Sequence, residues 1–245
     1  PVGVFLSGGL DSSIIASIVA QHRPDAHYYC LATEGSPDYG YAQLLARELG
    51  INQVKFIDLP TTAELEMLIC EVVFSTQSYN PSVISNGICT YMLSCAARKD
   101  GLKVVLSGEG ADELFGGYHY FNESDDWRAT RKQLVSNLRF TELRRLDLTC
   151  MAHSIETRCP FLDKPVYDYA MKLDYHDLYH TAAEQEINKY ILRQEFSDRL
   201  PDEIVWRDKI SCDVGSGMRG RVVAQLRTGE QSERQALKDI WQQYF

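Results

Sequence analysis

Val2-Gly3-Val4-Phe5-Leu6-Ser7-Gly8-Gly9-Leu10-Asp11-Ser12-Ser13-Ile14-Ile15-Ala16 carries the reading of the fold. Its first half is a short, continuous apolar run, as expected of a strand buried on both faces. Its last part has the apolar spacing of a helix. Between them two glycines permit a tight turn in which successive backbone N–H groups face one concavity, at the positive end of the helix that follows. Such a concavity takes an anion. Ser7, Ser12 and Ser13 add hydroxyls, and Asp11 is suited to a magnesium ion bridging phosphates. The G-K-[ST] ending of a Walker A loop is absent. A plain strand-to-helix turn capped by Asp-Ser is the alternative.

Outward from this stretch the pattern repeats. Strands are expected at Val2–Leu6, His27–Ala32, Gln53–Ile57 and Lys103–Leu106. Helices are expected at Ser12–Ala20, Tyr39–Leu49, Thr62–Val73 and Ile88–Arg98. Strand, helix, strand with Val/Ile/Leu-type strands predicts an α/β fold with a parallel, doubly wound sheet in three α/β/α layers. In such sheets ligands bind beyond the carboxyl ends of the strands. Beyond about Tyr120 the strand signals fade. Trp127–Phe140, Lys164–Leu173, Ala182–Phe196 and Arg234–Tyr244 carry helical periodicity. The expectation is one unit over 1–245, with a nucleotide-binding core at 1–121 and a mostly helical part at 122–245 completing the site. Asn122–Asp126 reads as a mobile surface loop.

A second strand end presents Ser107-Gly108-Glu109-Gly110-Ala111-Asp112-Glu113, with three carboxylates within five residues. Massed acids repel one another unless a cation or cationic substrate sits among them. Asp112 and Asp11 would make a magnesium pair on one sheet edge; a solvated acidic loop is the bland alternative. Lys209, in a polar loop closed by Gly215 and Gly217, could reach a phosphate as a point charge.

Composition narrows the function classes. With 25 basic and 34 acidic side chains in 245 residues the net charge is −9, which disfavours binding that depends on neutralising nucleic-acid phosphates. No apolar run approaches the roughly 18 residues of a membrane span. The seven cysteines are scattered without a C-x-x-C pair, so reduced, buried thiols and a cytoplasmic location are expected. His176 and His180 stand at i, i+4 but have no third ligand nearby. The aromatics of Phe115–Phe121 are expected in the core rather than stacked on bases.

Four stretches in this order resemble the synthetase domain of glutamine-dependent asparagine synthetases, over nearly the whole chain. They are the opening S-G-G-L-D-S-S with Gly35–Asp38 (G-S-P-D), L-S-G-E-G-A-D-E-L-F-G-G-Y, M-A-H-S-I-E-T-R-x-P-F-L-D (Met151–Asp163), and R-x-K at Arg207–Lys209. The resemblance implies a PP-loop ATP pyrophosphatase that adenylates a carboxylate, releases pyrophosphate and lets ammonia displace AMP. It implies ATP contacts at Leu6, Ser7, Gly8, Gly9, Asp11, Ser12, Ser13, Leu31, Ser107 and Gly108, and Mg²⁺ on Asp11 and Asp112. Lys209 would stabilise the charge developing on phosphate, and Glu109 would orient or deprotonate the amine. Glu113 and Asp163 would line the amino-acid pocket.

The chain departs from the family where acids are usual: Gln77 and Asn80 are amides. Val83 and Ser85 stand where a threonine and an arginine serve the aspartate side. The nucleotide machinery is therefore expected to be complete and the acceptor pocket altered. The family usually carries a Cys-led glutaminase domain ahead of this one, and the expectation is a chain without it, Cys30 being its first cysteine. Its trimming, or the use of free ammonia, another amine or a partner subunit, are the options. Relatives that close β-lactams or cyclise peptides offer a second ligase reading, and a non-catalytic nucleotide-binding relative a third. PP-loop tRNA modifiers share S-G-G-x-D-S but lack the second loop.

Overall fold

A computed structural model of the chain describes residues 1–118, 121, 125–182, 185–227 and 231–245. The apolar run at the start forms β1 (Gly3–Phe5), buried throughout. It is followed by α1 (Leu10–His22), β2 (His27–Leu31), α2 (Pro37–Glu48), β3 (Val54–Ile57), α3 (Thr62–Thr76), α4 (Pro81–Lys99) and β4 (Val104–Leu106). Each expected element of the first half is present, and side-chain caps fix the starts of α3 and α4. Thr61 closes a capping box with Glu64 ahead of α3. Asn80 accepts from the Ser82 N–H at 3.0 Å ahead of α4, satisfying a donor that the helix leaves open.

The sheet is parallel, in the order β3-β2-β1-β4-β5. The fifth strand, β5 (Glu156–Arg158), comes from the second half and pairs with β4. The sequence reading has no strand there: Glu-Thr-Arg is polar, and such residues suit an exposed sheet edge. Alternate strand residues divide between two cores. Val4, Leu6, Tyr28 and Cys30 face one; Phe5, Tyr29, Leu31 and Val105 face the other. This is the period-2 consequence of covering both faces.

Beyond β4 lie α5 (Ala111–Phe115), α6 (Trp127–Asn137), α7 (Glu142–Met151), α8 (Lys164–Ala170) and α9 (Tyr175–Leu178). The chain then forms β6 (His180–Ala182), β7 (Gln185–Ile187), α10 (Tyr190–Phe196), α11 (Asp202–Val205), α12 (Cys212–Gly215), α13 (Met218–Leu226) and α14 (Glu233–Trp241). The helix expected over Ala182–Phe196 is corrected: its first part is one strand of the antiparallel β6–β7 pair. Only Tyr190–Phe196 is helical, starting after Lys189 at φ 52°. Within the loop expected at Asn122–Asp126, residues 122–124 lie outside the described residues; Asp126 caps α6, accepting from Ala129 N–H at 3.0 Å. Phe115 and Phe121 are core residues. The seven cysteines are free thiols. Among the described residues no helix is long and apolar enough to cross a membrane.

Candidate active site

The strand order reverses direction at β1 and β4, and a parallel sheet opens a crevice where such a switch occurs. Both serine–glycine loops lie there. In the first, Gly9 N–H donates to Ser7 Oγ at 3.3 Å, and Ser7 N–H donates to Ser12 Oγ at 3.2 Å. Gly8 sits at φ +70°, and a Cβ on it would lie 2.6 Å from Tyr41 Cβ and 2.8 Å from Ala42 N. Only glycine lets α2 approach the loop this closely. In the second loop, a Cβ on Gly108 would lie 2.9 Å from Asp11 Cβ. The two loops are thus in contact.

That contact brings Asp11 and Asp112 together. Lys189 Nζ lies 2.6 and 2.7 Å from the two Asp11 oxygens and 2.6 Å from Asp112 Oδ1. Lys209 Nζ is 2.5 Å from Asp112 Oδ2 and 3.8 Å from Asp11 Oδ2. Burial by itself would raise the Asp112 carboxyl, but the two ammoniums outweigh it and hold it well below the usual carboxylate range. Burial opposes the charge on Lys209 too, yet Asp112 and Asp11 lift it above the ordinary lysine value.

The donor set fits a divalent cation. Asp112 Oδ1 is buried and, although an ammonium is close, makes no hydrogen bond, so a lone pair remains to be used. The two carboxylates already share one cation. Among the described residues no third acid, histidine or cysteine joins them as a ligand group, as expected where phosphates and water complete a magnesium shell.

Around these groups is a cavity of about 280 Å³. Leu6, Ser7, Gly9, Asp11, Ser12, Leu31, Ser107, Gly108, Glu109, Asp112 and Lys209 line it. Gly8 is packed behind the loop against α2, and Ser13 is fully buried with an unbonded hydroxyl. Glu113 lies behind the wall, accepting from the Tyr118 hydroxyl at 2.5 Å. Burial above all, then Asp112 and Glu109, pushes its carboxyl up to about 7 despite that bond. Asp163 is exposed, takes the N-cap position of α8 and is absent from the cavity lining.

Sequence reasoning gave no role to three groups, although it quoted Arg207 within the R-x-K stretch. Lys189, 2% exposed, is the cation between the aspartates. Arg145 on α7 pairs with Glu109 at 2.7 Å. Arg207 joins Asp38 of the G-S-P-D stretch at 2.6 Å and donates to Ser7 O at 3.2 Å, with its guanidinium 4.0 Å from the Tyr41 ring centroid. Burial raises Asp38 to about 6 against the pull of Arg207. The one available signal was Lys189 itself, a lysine just before an apolar helix start.

The departing residues have local employment. Gln77 ends α3 in a left-handed conformation and Asn80 caps α4. Ser85 is fully buried with an unbonded hydroxyl, and only Val83 of these four lines the cavity. A larger groove, about 890 Å³, lies at the opposite, amino end of β2 and β3. Its charges are spent on one another, Arg23 with Asp25 and Lys55 with Asp100.

The protein is similar to known chains in the following measure. The solved structure of a predicted subunit of tRNA methyltransferase from Methanocaldococcus jannaschii matches with a TM-score of 0.37 and 16% identity, covering 85% of this chain and 93% of that one; a likeness so loose carries no weight. Asparagine synthetase [glutamine-hydrolyzing] 1 of Arabidopsis thaliana is 33% identical over 234 residues, covering 89% of this chain and 40% of that protein. Asparagine synthetase B [glutamine-hydrolyzing] of Escherichia coli (strain K12) is 33% identical over 236 residues, covering 89% and 42%. The chain thus spans about two-fifths of the length of these relatives. The family model described as asparagine synthase matches residues 1–140 and 128–239, and the chain belongs to that family.

Proposed function

We propose that this chain is an ATP-dependent amide-forming ligase: ATP adenylates a carboxylate, the side chain of aspartate first among candidates. Pyrophosphate leaves, and ammonia or another amine displaces AMP. The carrying observation is the meeting of Asp11, Asp112, Lys189 and Lys209 where two Ser-Gly loops touch at the crevice of the sheet. The backbone N–H groups at the start of α1 would face the phosphates, the natural place for anions on a helix. Leu6 and Leu31 would bound the nucleotide's apolar side, and Ser107 and Gly108 would hold the second loop against it. Asp11 and Asp112 would hold a magnesium ion, which when bound offsets the charge of the pyrophosphate.

Lys209 is partly exposed at the cavity and would follow negative charge onto the α-phosphate as the carboxylate attacks. A charge that strengthens in the transition state contributes to rate rather than only to binding. Glu109, on the same loop as Asp112, is the group that would orient the incoming amine. Glu113 and Asp163 remain proposals for the amino-acid side, the first from behind Tyr118 and the second from outside the described cavity lining. The nitrogen source, whether free ammonia or a glutaminase domain or subunit, is tested by comparing ammonium chloride with glutamine.

The deciding measurement is exchange of labelled pyrophosphate into ATP in the presence of Mg²⁺ and L-aspartate or a panel of other carboxylates. Exchange that requires both metal and carboxylate is expected. Asp11→Asn should abolish it, and Lys209→Ala should abolish it while ATP still binds. No exchange with any carboxylate would overturn the reading. The mass of the amide product separates ammonia from an internal amine.

A further inference from the structure

Resting on the reading of Asp11 and Asp112 as a magnesium pair, the place of Lys189 bears on when a metal ion can enter. Its Nζ lies 2.7 and 2.6 Å from the two Asp11 oxygens and 2.6 Å from Asp112 Oδ1. One ammonium thus spans both carboxylates, while Lys209 takes the remaining oxygen, Asp112 Oδ2, at 2.5 Å. Towards Asp112 Oδ1 no hydrogen bond forms. There the ammonium stands as a point charge, as a bound metal ion would.

The fold builds this placement. Lys189 has φ 52°, in the left-handed region, which is unfavourable for any residue with a Cβ. Its neighbours hold it there: the Asn188 amide donates to Gly117 O at 3.0 Å, and the Arg193 N–H donates to Lys189 O at 3.1 Å. Gly117 leaves room for the side chain. A Cβ on it would lie 1.9 Å from Asp112 Oδ1 and 2.6 Å from Lys189 Cε. Packed in this way Lys189 is 2% exposed, yet it borders the cavity.

A magnesium ion takes oxygen ligands at about 2.0–2.1 Å in an octahedral array. It cannot draw on both aspartates while Nζ stands between them. An ammonium pushed aside with nothing to receive it would be a buried, unpaired charge. A polyphosphate changes both terms, because its oxygens give the ammonium a new anionic partner and complete the metal's ligand shell.

We propose that Lys189 is a resident counter-ion that holds the magnesium seat in the nucleotide-free chain. It keeps a lone divalent ion out and gives up the seat only when phosphates arrive to receive its ammonium. Metal and nucleotide then enter together, and Lys189 passes from the aspartates to the phosphates.

The test is binding of Mn²⁺ without nucleotide, read from the electron paramagnetic resonance signal of the free ion. Mn²⁺ takes the same carboxylate and water ligands as Mg²⁺. Lys189→Met should bind it about 10- to 100-fold more tightly than the wild type, the worth of a charged hydrogen bond that the ion no longer has to displace. Lys189→Arg, which keeps the cation, should bind no more tightly than the wild type. Adding Asp11→Asn to Lys189→Met should return the affinity to the wild-type level. Mg²⁺ alone should raise the melting temperature of Lys189→Met by more than that of the wild type. Should Lys189→Met fail to fold without metal, Lys189→Gln supplies the affinity comparison. Equal Mn²⁺ affinity in the wild type and the uncharged variants, or a gain that survives Asp11→Asn, overturns the proposal. No nucleotide or carboxylate substrate enters this measurement, so a failure of pyrophosphate exchange overturns the ligase reading separately from it.

Discussion

Lys189 shows how a single residue organises the site. Its ammonium is 2% exposed and touches two aspartates on different loops. Removing one member of a buried charge group leaves the others uncompensated, which costs about 3–5 kcal/mol. Lys209 remains to share the load, so Lys189→Met should lower stability by about 2–4 kcal/mol in urea titrations. A loss below about 0.5 kcal/mol, the range of surface substitutions, would show that the pair is not held as described. Asp38 tests the electrostatics by pH. Its folded carboxyl, at about 6, lies above the ordinary 3.8. A raised folded value means that this group favours the fold most below pH 3.8, and that this contribution is lost as pH rises through 6. Asp38→Asn lacks this dependence. The stability gap between wild type and variant should therefore narrow by about 1–3 kcal/mol between pH 4 and pH 7.5. A gap that widens would mean that the Arg207 pairing dominates burial.

Among the elements, the loop from β1 to α1 is the least tolerant of change. Gly8 combines a positive φ with the close approach of α2 at Tyr41 and Ala42. Gly8→Ala adds a left-handed penalty of about 1–2 kcal/mol to a clash with backbone atoms. It should cost at least about 2 kcal/mol by thermal or urea unfolding, with ATP binding lost as well. Gly9 at the N-cap has φ −77° and only the Ser7 hydroxyl, 3.3 Å away, near a substituted Cβ. Gly9→Ala should therefore be tolerated far better, and equal losses at the two positions would refute the packing argument. The helices of the first half were legible because each is a long run between turn residues, with side-chain caps at the starts of α3 and α4. Strand β5 was not, since Glu156 and Arg158 gain a place in the sheet only by pairing with β4. The β6–β7 pair was hidden for a related reason: its residues carry an apolar spacing that suits either a helix or a hairpin, and Lys189 breaks the helix only through its backbone conformation.

Across the whole molecule, the two halves share both cores. Phe161, Leu178, Leu192 and Val205 from beyond residue 121 pack with Val4, Leu6 and Leu114. Leu146, Ile155, Met218 and Leu237 pack with Phe5 and Leu31. A fragment ending at residue 121 would expose those faces of its sheet, so it should show no cooperative melt by circular dichroism, whereas residues 1–245 should unfold in one transition. A cooperative fragment would make the nucleotide-binding half an independent domain. The chemistry is divided in the same way. Asp11 and Asp112 belong to the first half, while Arg145, Lys189 and Lys209 come from the second.

The sequence by itself determined the order of strands and helices up to β4, the two Ser-Gly loops and the pairing of Asp11 with Asp112 as an expectation. These are local properties: turn chemistry, periodicity and a strand that feeds a helix are written within about fifteen residues. The third dimension decided what those loops meet. Lys189 lies 178 residues from Asp11, and Arg145 lies 36 from Glu109. Each reads in isolation as an ordinary solvated cation on or beside a helix. It becomes part of a site only because the fold buries it beside the crevice, where a charge is stabilised by a partner of opposite sign.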